Sequence, residues 1–384
     1  MRNISDTIGR LAAARSRAAH FQPPQNDRLS EITGFGSNPG ALRGRIYIPP
    51  NLPSDAPLVV VLHGCTQSAA GYDHGSGWSD LAAKEGFAVL FPEQQRSNNS
   101  NLCFNWFVPE DTTRDRGEAL SIREMIEAVV VKHRVDRKRI FITGLSAGGA
   151  MAAAMLAIYP DVFAGGAIIA GLAYGSAATI PEAFDRMRGH GGPSRTELQR
   201  RLRQATGHKG AWPRISVWQG SADQTVVPSN ADIIVDQWQA VLALDVGLAR
   251  NETVDGHTRQ VWCDAGGHEL IEKYTISGMG HGTPIKAAGP DGLGSAAPFM
   301  LDVGISSTRR IAQFWRLTDA KASGAGDATR QDGSRTAVRQ YRRVEDARAV
   351  RTDPAATAQP DVDRSLTSIT KVIEDALRAA GLMR

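Results

Sequence analysis

Gly144-Leu145-Ser146-Ala147-Gly148 sets one serine between two glycines, with an apolar run before it and an Ala/Met-rich stretch after it. A serine in that context sits on a sharp strand-to-helix turn, its hydroxyl pushed above a sheet. Side chains at 144 and 148 would collide with neighbouring elements, so glycine stands at both. The helix that follows aims backbone N–H groups and its positive end at the place where an oxyanion would form. A serine hydroxyl is barely ionised at neutral pH and needs a base. On such a turn the partners follow along the chain as serine, acid, histidine. Of nine histidines, His281 follows a late apolar run inside the glycine-rich turn Ser277-Gly278-Met279-Gly280-His281-Gly282. His268 precedes that run, which predicts a place at the opposite sheet edge, and His257 also lies upstream. The acid should follow the preceding strand, and Asp223 does so, whereas Asp232, Asp255 and Asp264 end no predicted strand. Asp223 would hold the imidazole in one tautomer. The oxyanion needs two N–H donors. Ala147, directly after the serine, is one; Cys65 in Leu62-His63-Gly64-Cys65-Thr66-Gln67 is the other, with Thr66 as the alternative. His63 is expected to brace this loop.

These residues require a scaffold that carries them to one edge. Residues 57–62 form a continuous apolar run, and 86–91, 139–143, 163–170, 215–219 and 271–276 repeat the pattern. Such runs fit strands buried on both faces of a parallel sheet. Helical spacing appears between them at 78–85, 117–133, from 149 to about 159, 231–242 and 306–316. Strands alternating with helices predict an α/β fold with a mostly parallel central sheet and helices on both faces. With the serine turn, this is the α/β-hydrolase arrangement. The predicted organisation is an N-terminal helix and loop over 1–41, with 21–40 read as loop, and a catalytic domain over 42–318. A small cap is inserted at 174–212, and a linker with an amphipathic helix occupies 319–384.

Composition narrows the function classes. Hydrophobic residues make up 42% and charged residues 22%, as in folded soluble domains. The net charge of +4 is spread along the chain rather than gathered on one element, which argues against a nucleic-acid partner. No apolar run approaches the ~18 residues that span a bilayer. Residues 1–20 lack the apolar stretch of a secretory leader, so the expected location is the cytoplasm as written; a mature extracellular form is the alternative. The cysteines Cys65, Cys103 and Cys263 form no zinc-type spacing, and no metal or cofactor is expected. Trp106 lies in an irregular segment after a strand end, where ligands of open α/β sheets bind. It is the first expected substrate contact, and Tyr174, after the strand that follows the serine helix, is the second.

Further segments carry a resemblance: Leu62-His63-Gly64-Cys65-Thr66-Gln67, Gly77-Trp78, Asn105-Trp106-Phe107, Gly144 to Met151, Val217 to Asp223 with Asn230 and Trp238, Gly278 to His281, and Gly304 to Thr308 leading to Phe314-Trp315. Over about 42–316 the chain resembles the catalytic domains of type 1 short-chain polyhydroxyalkanoate (PHB) depolymerases. That esterase group borders feruloyl and acetylxylan esterases. The resemblance implies that Ser146, Asp223 and His281 fall on the triad positions of a serine esterase. It also implies a short-chain 3-hydroxyalkanoate polyester or its oligomers as substrate, cleaved through an acyl-enzyme. Secreted members carry a leader, a linker and a polymer-binding domain. Neither such a leader nor such a polymer-binding domain is recognisable here, which leaves soluble oligomers and other esters open. The resemblance places Cys65 and Cys103 near the site, where a disulfide would brace the oxyanion loop; in a reducing compartment they would be thiols. Two rivals are a feruloyl- or acetylxylan-type carbohydrate esterase, and a catalytically silent protein of this fold that binds storage granules or a partner.

Overall fold

The computed structural model describes residues 27–244 and 249–318. The predicted helix over 1–20 and the segment 319–384 lie outside the described residues. The strands are β1 (Ser30–Ile32), β2 (Arg43–Tyr47), β3 (Leu58–Leu62), β4 (Ala88–Glu93), β5 (Ile140–Leu145), β6 (Gly165–Ile169), β7 (Arg214–Gly220), β8 (Arg250–Val254), β9 (His257–Cys263), β10 (Glu269–Ile276), β11 (Thr283–Ile285) and β12 (Met300–Asp302). The helices are α1 (Ala69–Ser76), α2 (Trp78–Glu85), α3 (Gly117–His133), α4 (Ala147–Ile158), α5 (Ile180–Met187), α6 (Arg195–Gln204), α7 (Ser229–Leu242) and α8 (Ser307–Phe314).

Ten strands form one sheet in the order β1-β2-β4-β3-β5-β6-β7-β10-β9-β8. From β4 to β10 the pairs are parallel, and antiparallel strands close both edges. Strand β3 shows why both faces are covered. Leu58, Val60 and Leu62 enter one core with Ile122, Met125 and Ile126 of α3, the α4 alanines and Trp238. Val59 and Val61 enter the other, with Tyr72, Trp78, Leu81 and Trp315. Side chains of period two with no polar member leave no solvent face. In the second core the Trp315 ring stacks on Phe141 at 4.9 Å and on Trp78 at 5.9 Å.

One reading is corrected, and two parts of the fold had no reading in the sequence. Residues 30–32 are an edge strand rather than loop, with Ser30 opposite Ile46; three mostly exposed residues carry too short a pattern to see. Helix α1 escaped notice because Gly71 and Gly75 lower its propensity. It is fixed instead by the Ser68 hydroxyl, which accepts the Gly71 N–H, and by buried Asp73, paired with Arg28 at 2.9 Å. Strands β8 and β9 were hidden by charge. Arg259 is buried by bonding Glu252, Glu269 and Glu272 on neighbouring strands.

Within 174–212, the expected insertion, helix α6 is anchored against α7. Leu198 and Leu202 of α6 are buried, and the Gln199 side chain bonds the Asp236 carbonyl of α7 at 2.9 Å. At the end of α5 the Met187 carbonyl accepts the Val227 N–H.

Two features fix the loops that frame the serine turn. A Cβ on Gly148 would stand 2.4 Å from the His63 carbonyl oxygen and 2.5 Å from that of Leu62, so α4 reaches its depth against β3 only with glycine there. On the other side, the segment after β4 wraps a buried carboxylate, Glu118, in the first turn of α3. Its Oε1 accepts the amides of Gln94 at 2.6 Å and Asn98 at 3.1 Å, and its Oε2 the Asn105 N–H at 2.9 Å. Burial, with the charge of Asp111 adding to it, pushes the Glu118 carboxyl up to about 8.

Gly148→Ala should lower stability by about 1–3 kcal/mol through overpacking and displace Ser146, read as a lower melting temperature together with lost turnover; a melt and a rate equal to the parent's would contradict the close approach. The raised Glu118 value favours the protonated form in the fold, so its contribution is full below the ordinary carboxylate range and is lost as pH rises through about 8. Denaturant melts of the parent and Glu118→Gln between pH 5 and 9 should therefore show the parent losing ground to the variant as pH rises. A gap independent of pH would contradict this.

Candidate active site

Ser146 links the end of β5 to α4 with φ 58° and ψ −117°, a backbone region that few residues other than glycine adopt. The strain is held by the Ser146 N–H on the Ile169 carbonyl at 2.9 Å and the Ala150 N–H on the Ser146 carbonyl at 2.8 Å. The serine hydroxyl is thereby lifted to the C-terminal edge of the sheet.

Asp223 follows β7 and His281 follows β10, the next strand in the sheet. The two turns lock together: Ser221 N–H bonds the Ile276 carbonyl, Ala222 N–H the Met279 carbonyl, and Gly278 N–H the Ser221 hydroxyl. His281 Nδ1 lies 2.7 Å from Asp223 Oδ2, and its Nε2 lies 2.9 Å from Ser146 Oγ. The carboxylate accepts, so Nδ1 carries the proton and the bare Nε2 faces the serine hydroxyl. Asp223 is fully buried at its side chain. Its Oδ1 accepts the N–H groups of Thr225 at 2.8 Å and Val226 at 3.0 Å, and its Oδ2 the Gln219 amide at 3.0 Å. These donors fix the plane of the carboxylate; in the sequence Gln219 stood out only as part of the Val217–Asp223 segment, with no role attached.

The loop after β3 is fixed from several directions. Gly64 N–H bonds Gln67 Oε1 at 2.8 Å, and Thr66 N–H bonds the Asn101 carbonyl at 2.7 Å. The Thr66 amide is thus occupied, which removes the alternative donor. Among the described residues, the amides of Cys65 and Ala147 have no acceptor. Cys65 and Cys103 form a disulfide. Buried His63 braces the loop as expected: its Nδ1 bonds the Gly64 carbonyl at 2.8 Å and its Nε2 accepts the Gln94 N–H at 3.1 Å, while burial holds its pKa down.

His268 and His257, the two other histidines weighed as the base, are both placed by the fold. His268 lies exposed at the N-terminal end of β10, beside Asp264. His257 lies upstream in sequence, yet antiparallel pairing brings it next to the His281 turn. Both of its ring nitrogens are engaged there, with Ser277 N–H at 3.2 Å and the Val303 carbonyl at 3.1 Å. Of the expected substrate contacts, Trp106 packs at the margin of the α3 core, edge-on to Phe107 at 5.5 Å. Tyr174 is tied through its backbone to Gln237 of α7. Neither shares a hydrogen bond or ring contact with Ser146, Asp223 or His281. The ring that does lie against the imidazole is Phe299, at 6.2 Å and 78°. Only the fold reveals it.

A polarised hydroxyl, an imidazole aligned by a carboxylate and two unengaged amides together suit acyl transfer. Residues 42–260 match the family described as Esterase PHB depolymerase. The chain is 44% identical over 295 residues to poly(3-hydroxyalkanoate) depolymerase C of Paucimonas lemoignei, covering 75% of this chain and 70% of that one. It is 32% identical to a probable acetylxylan esterase A of Aspergillus clavatus, over 68% of this chain and 86% of that one. The structure of an acetyl xylan esterase from Aspergillus awamori superposes with a TM-score of 0.64 and 24% identity, covering 76% of this chain and 99% of that chain. The fold is that of the α/β-hydrolases, and the chain belongs to the PHB depolymerase esterase family, a group of carboxylic ester hydrolases.

Proposed function

We propose that Ser146 is the nucleophile of this esterase, His281 its general base and acid, and Asp223 the group that orients His281. The observation that carries this reading is the unbroken relay from Ser146 Oγ to His281 Nε2 at 2.9 Å and from His281 Nδ1 to Asp223 at 2.7 Å. Ser146 Oγ attacks the ester carbonyl as His281 takes its proton. The carbonyl oxygen becomes an oxyanion between the Cys65 and Ala147 amides, each such donor being worth about 10²–10³ in rate. The tetrahedral centre collapses, the C–O bond to the alcohol breaks, and His281 returns the proton to the departing oxygen. Water, deprotonated by His281, then releases the acid from the acyl-serine.

The proposed substrate is a short-chain 3-hydroxyalkanoate polyester or its oligomers. This reading is supported by the 44% identity to the Paucimonas lemoignei depolymerase. A second reading, acetyl esters of a carbohydrate, has its support in the 32% identity to the acetylxylan esterase over 86% of that protein. Trp106 and Tyr174 stay proposed as aromatic contacts at longer range. Of the two expected locations, the Cys65–Cys103 disulfide supports the extracellular one, since such bonds persist in oxidising compartments.

Ser146→Ala should lower p-nitrophenyl ester turnover by at least about a thousandfold and leave the melting curve near the parent's; undiminished turnover would overturn the nucleophile assignment. Initial rates on 3-hydroxybutyrate oligomers, acetylated xylan and methyl ferulate should rank the oligomers first. Faster cleavage of either carbohydrate-type ester would favour the second reading.

A further inference from the structure

The turn Ala297-Pro298-Phe299-Met300 leads into β12, and the Met300 N–H closes it on the Ala297 carbonyl at 2.9 Å. Proline at the first corner and a left-handed residue at the second is the pattern of a type II turn, whose second corner favours glycine. Gly289, Gly294 and Gly304 fill the neighbouring left-handed positions, but Phe299 holds this one at φ 65°. A bulky residue in that region is an outlier that persists only where its surroundings enforce it. Here the Phe299 carbonyl takes the Thr283 N–H at 2.7 Å, two residues beyond His281, and the Gln67 amide reaches the Pro298 carbonyl at 3.5 Å from the oxyanion loop. The ring that this backbone delivers lies edge-on to the His281 imidazole and is half-buried.

His281 must hand its proton to the departing alcohol oxygen, so the alcohol half of the ester leaves beside the imidazole. The Phe299 ring is packed against that same imidazole. We propose that Phe299 is a wall of the alcohol subsite and selects an apolar alcohol, such as the alkyl chain of a hydroxyacyl unit or an aryl group, over a polyhydroxylated sugar. The proposal rests on the Ser146–His281 reading above and adds to it the basis for choosing between the two substrate classes.

Phenyl acetate and methyl acetate share one acetyl-enzyme and differ only in the alcohol, so they isolate this effect. In Phe299→Gly, which relieves the turn, kcat/KM for phenyl acetate should fall about tenfold more than for methyl acetate. The loss should be confined to acylation, and Phe299→Leu should restore most of it. Deacylation, followed from the p-nitrophenyl acetate burst, uses His281 without any alcohol present. Equal losses on both esters, or a deacylation slowed as much as acylation, would mean that the ring only positions His281 and would overturn the proposal. Full turnover in Ser146→Ala would overturn the nucleophile reading itself, whatever the position 299 variants do.

Discussion

An imidazole hydrogen-bonded on both sides is the constraint that the rest of the molecule serves. His281 must meet a hydroxyl 135 positions away along the chain and a carboxylate 58 positions away, both at once. Loops alone do not hold three side chains to that tolerance. The parallel order β5-β6-β7-β10 does, because every strand in it ends at the same edge. The serine leaves from β5, the acid from β7 and the histidine from β10. Bonds between the acid turn and the histidine turn remove the freedom that two separate loops would have.

The same edge stores strain and offsets it nearby. Ser146 and Phe299 both adopt positive φ, and each has a neighbouring backbone bond that holds it there. The loop that carries the Cys65 amide has no regular structure of its own. It borrows rigidity from the segment after β4, through the Cys65–Cys103 disulfide, the Thr66–Asn101 bond and the His63–Gln94 bond. That segment is in turn wrapped around the Glu118 carboxylate, which accepts from Gln94, Asn98 and Asn105. Rigidity therefore passes inward from a buried acid to the Cys65 amide, which is the preorganisation that its proposed role at an oxyanion requires.

What could be read from the chain alone follows the locality of each cause. Ser146 was legible because its steric demands fall on its own neighbours, Gly144 and Gly148. Asp223 and His281 were legible because each closely follows an apolar strand, and strand order then implies their meeting. Helix α3 was legible over its whole length from apolar spacing. Features with distant causes were hidden. Strands β8 and β9 looked too polar because the partners that neutralise Arg259 lie on other strands. The Thr66 amide looked available because its acceptor, Asn101, lies in another loop. His257 was placed by its position in the chain, whereas antiparallel pairing carries it back to the His281 turn. Phe299 carried no local signal, since its meaning lies in its approach to His281.

The central claim is that His281 activates Ser146. Reaction with an alkyl fluorophosphonate, followed by peptide mass spectrometry, tests it most directly. One adduct per chain on the peptide containing Ser146 is predicted, formed at least about a hundredfold more slowly in His281→Asn. An adduct on another residue, or labelling of the variant at the parental rate, would contradict the account.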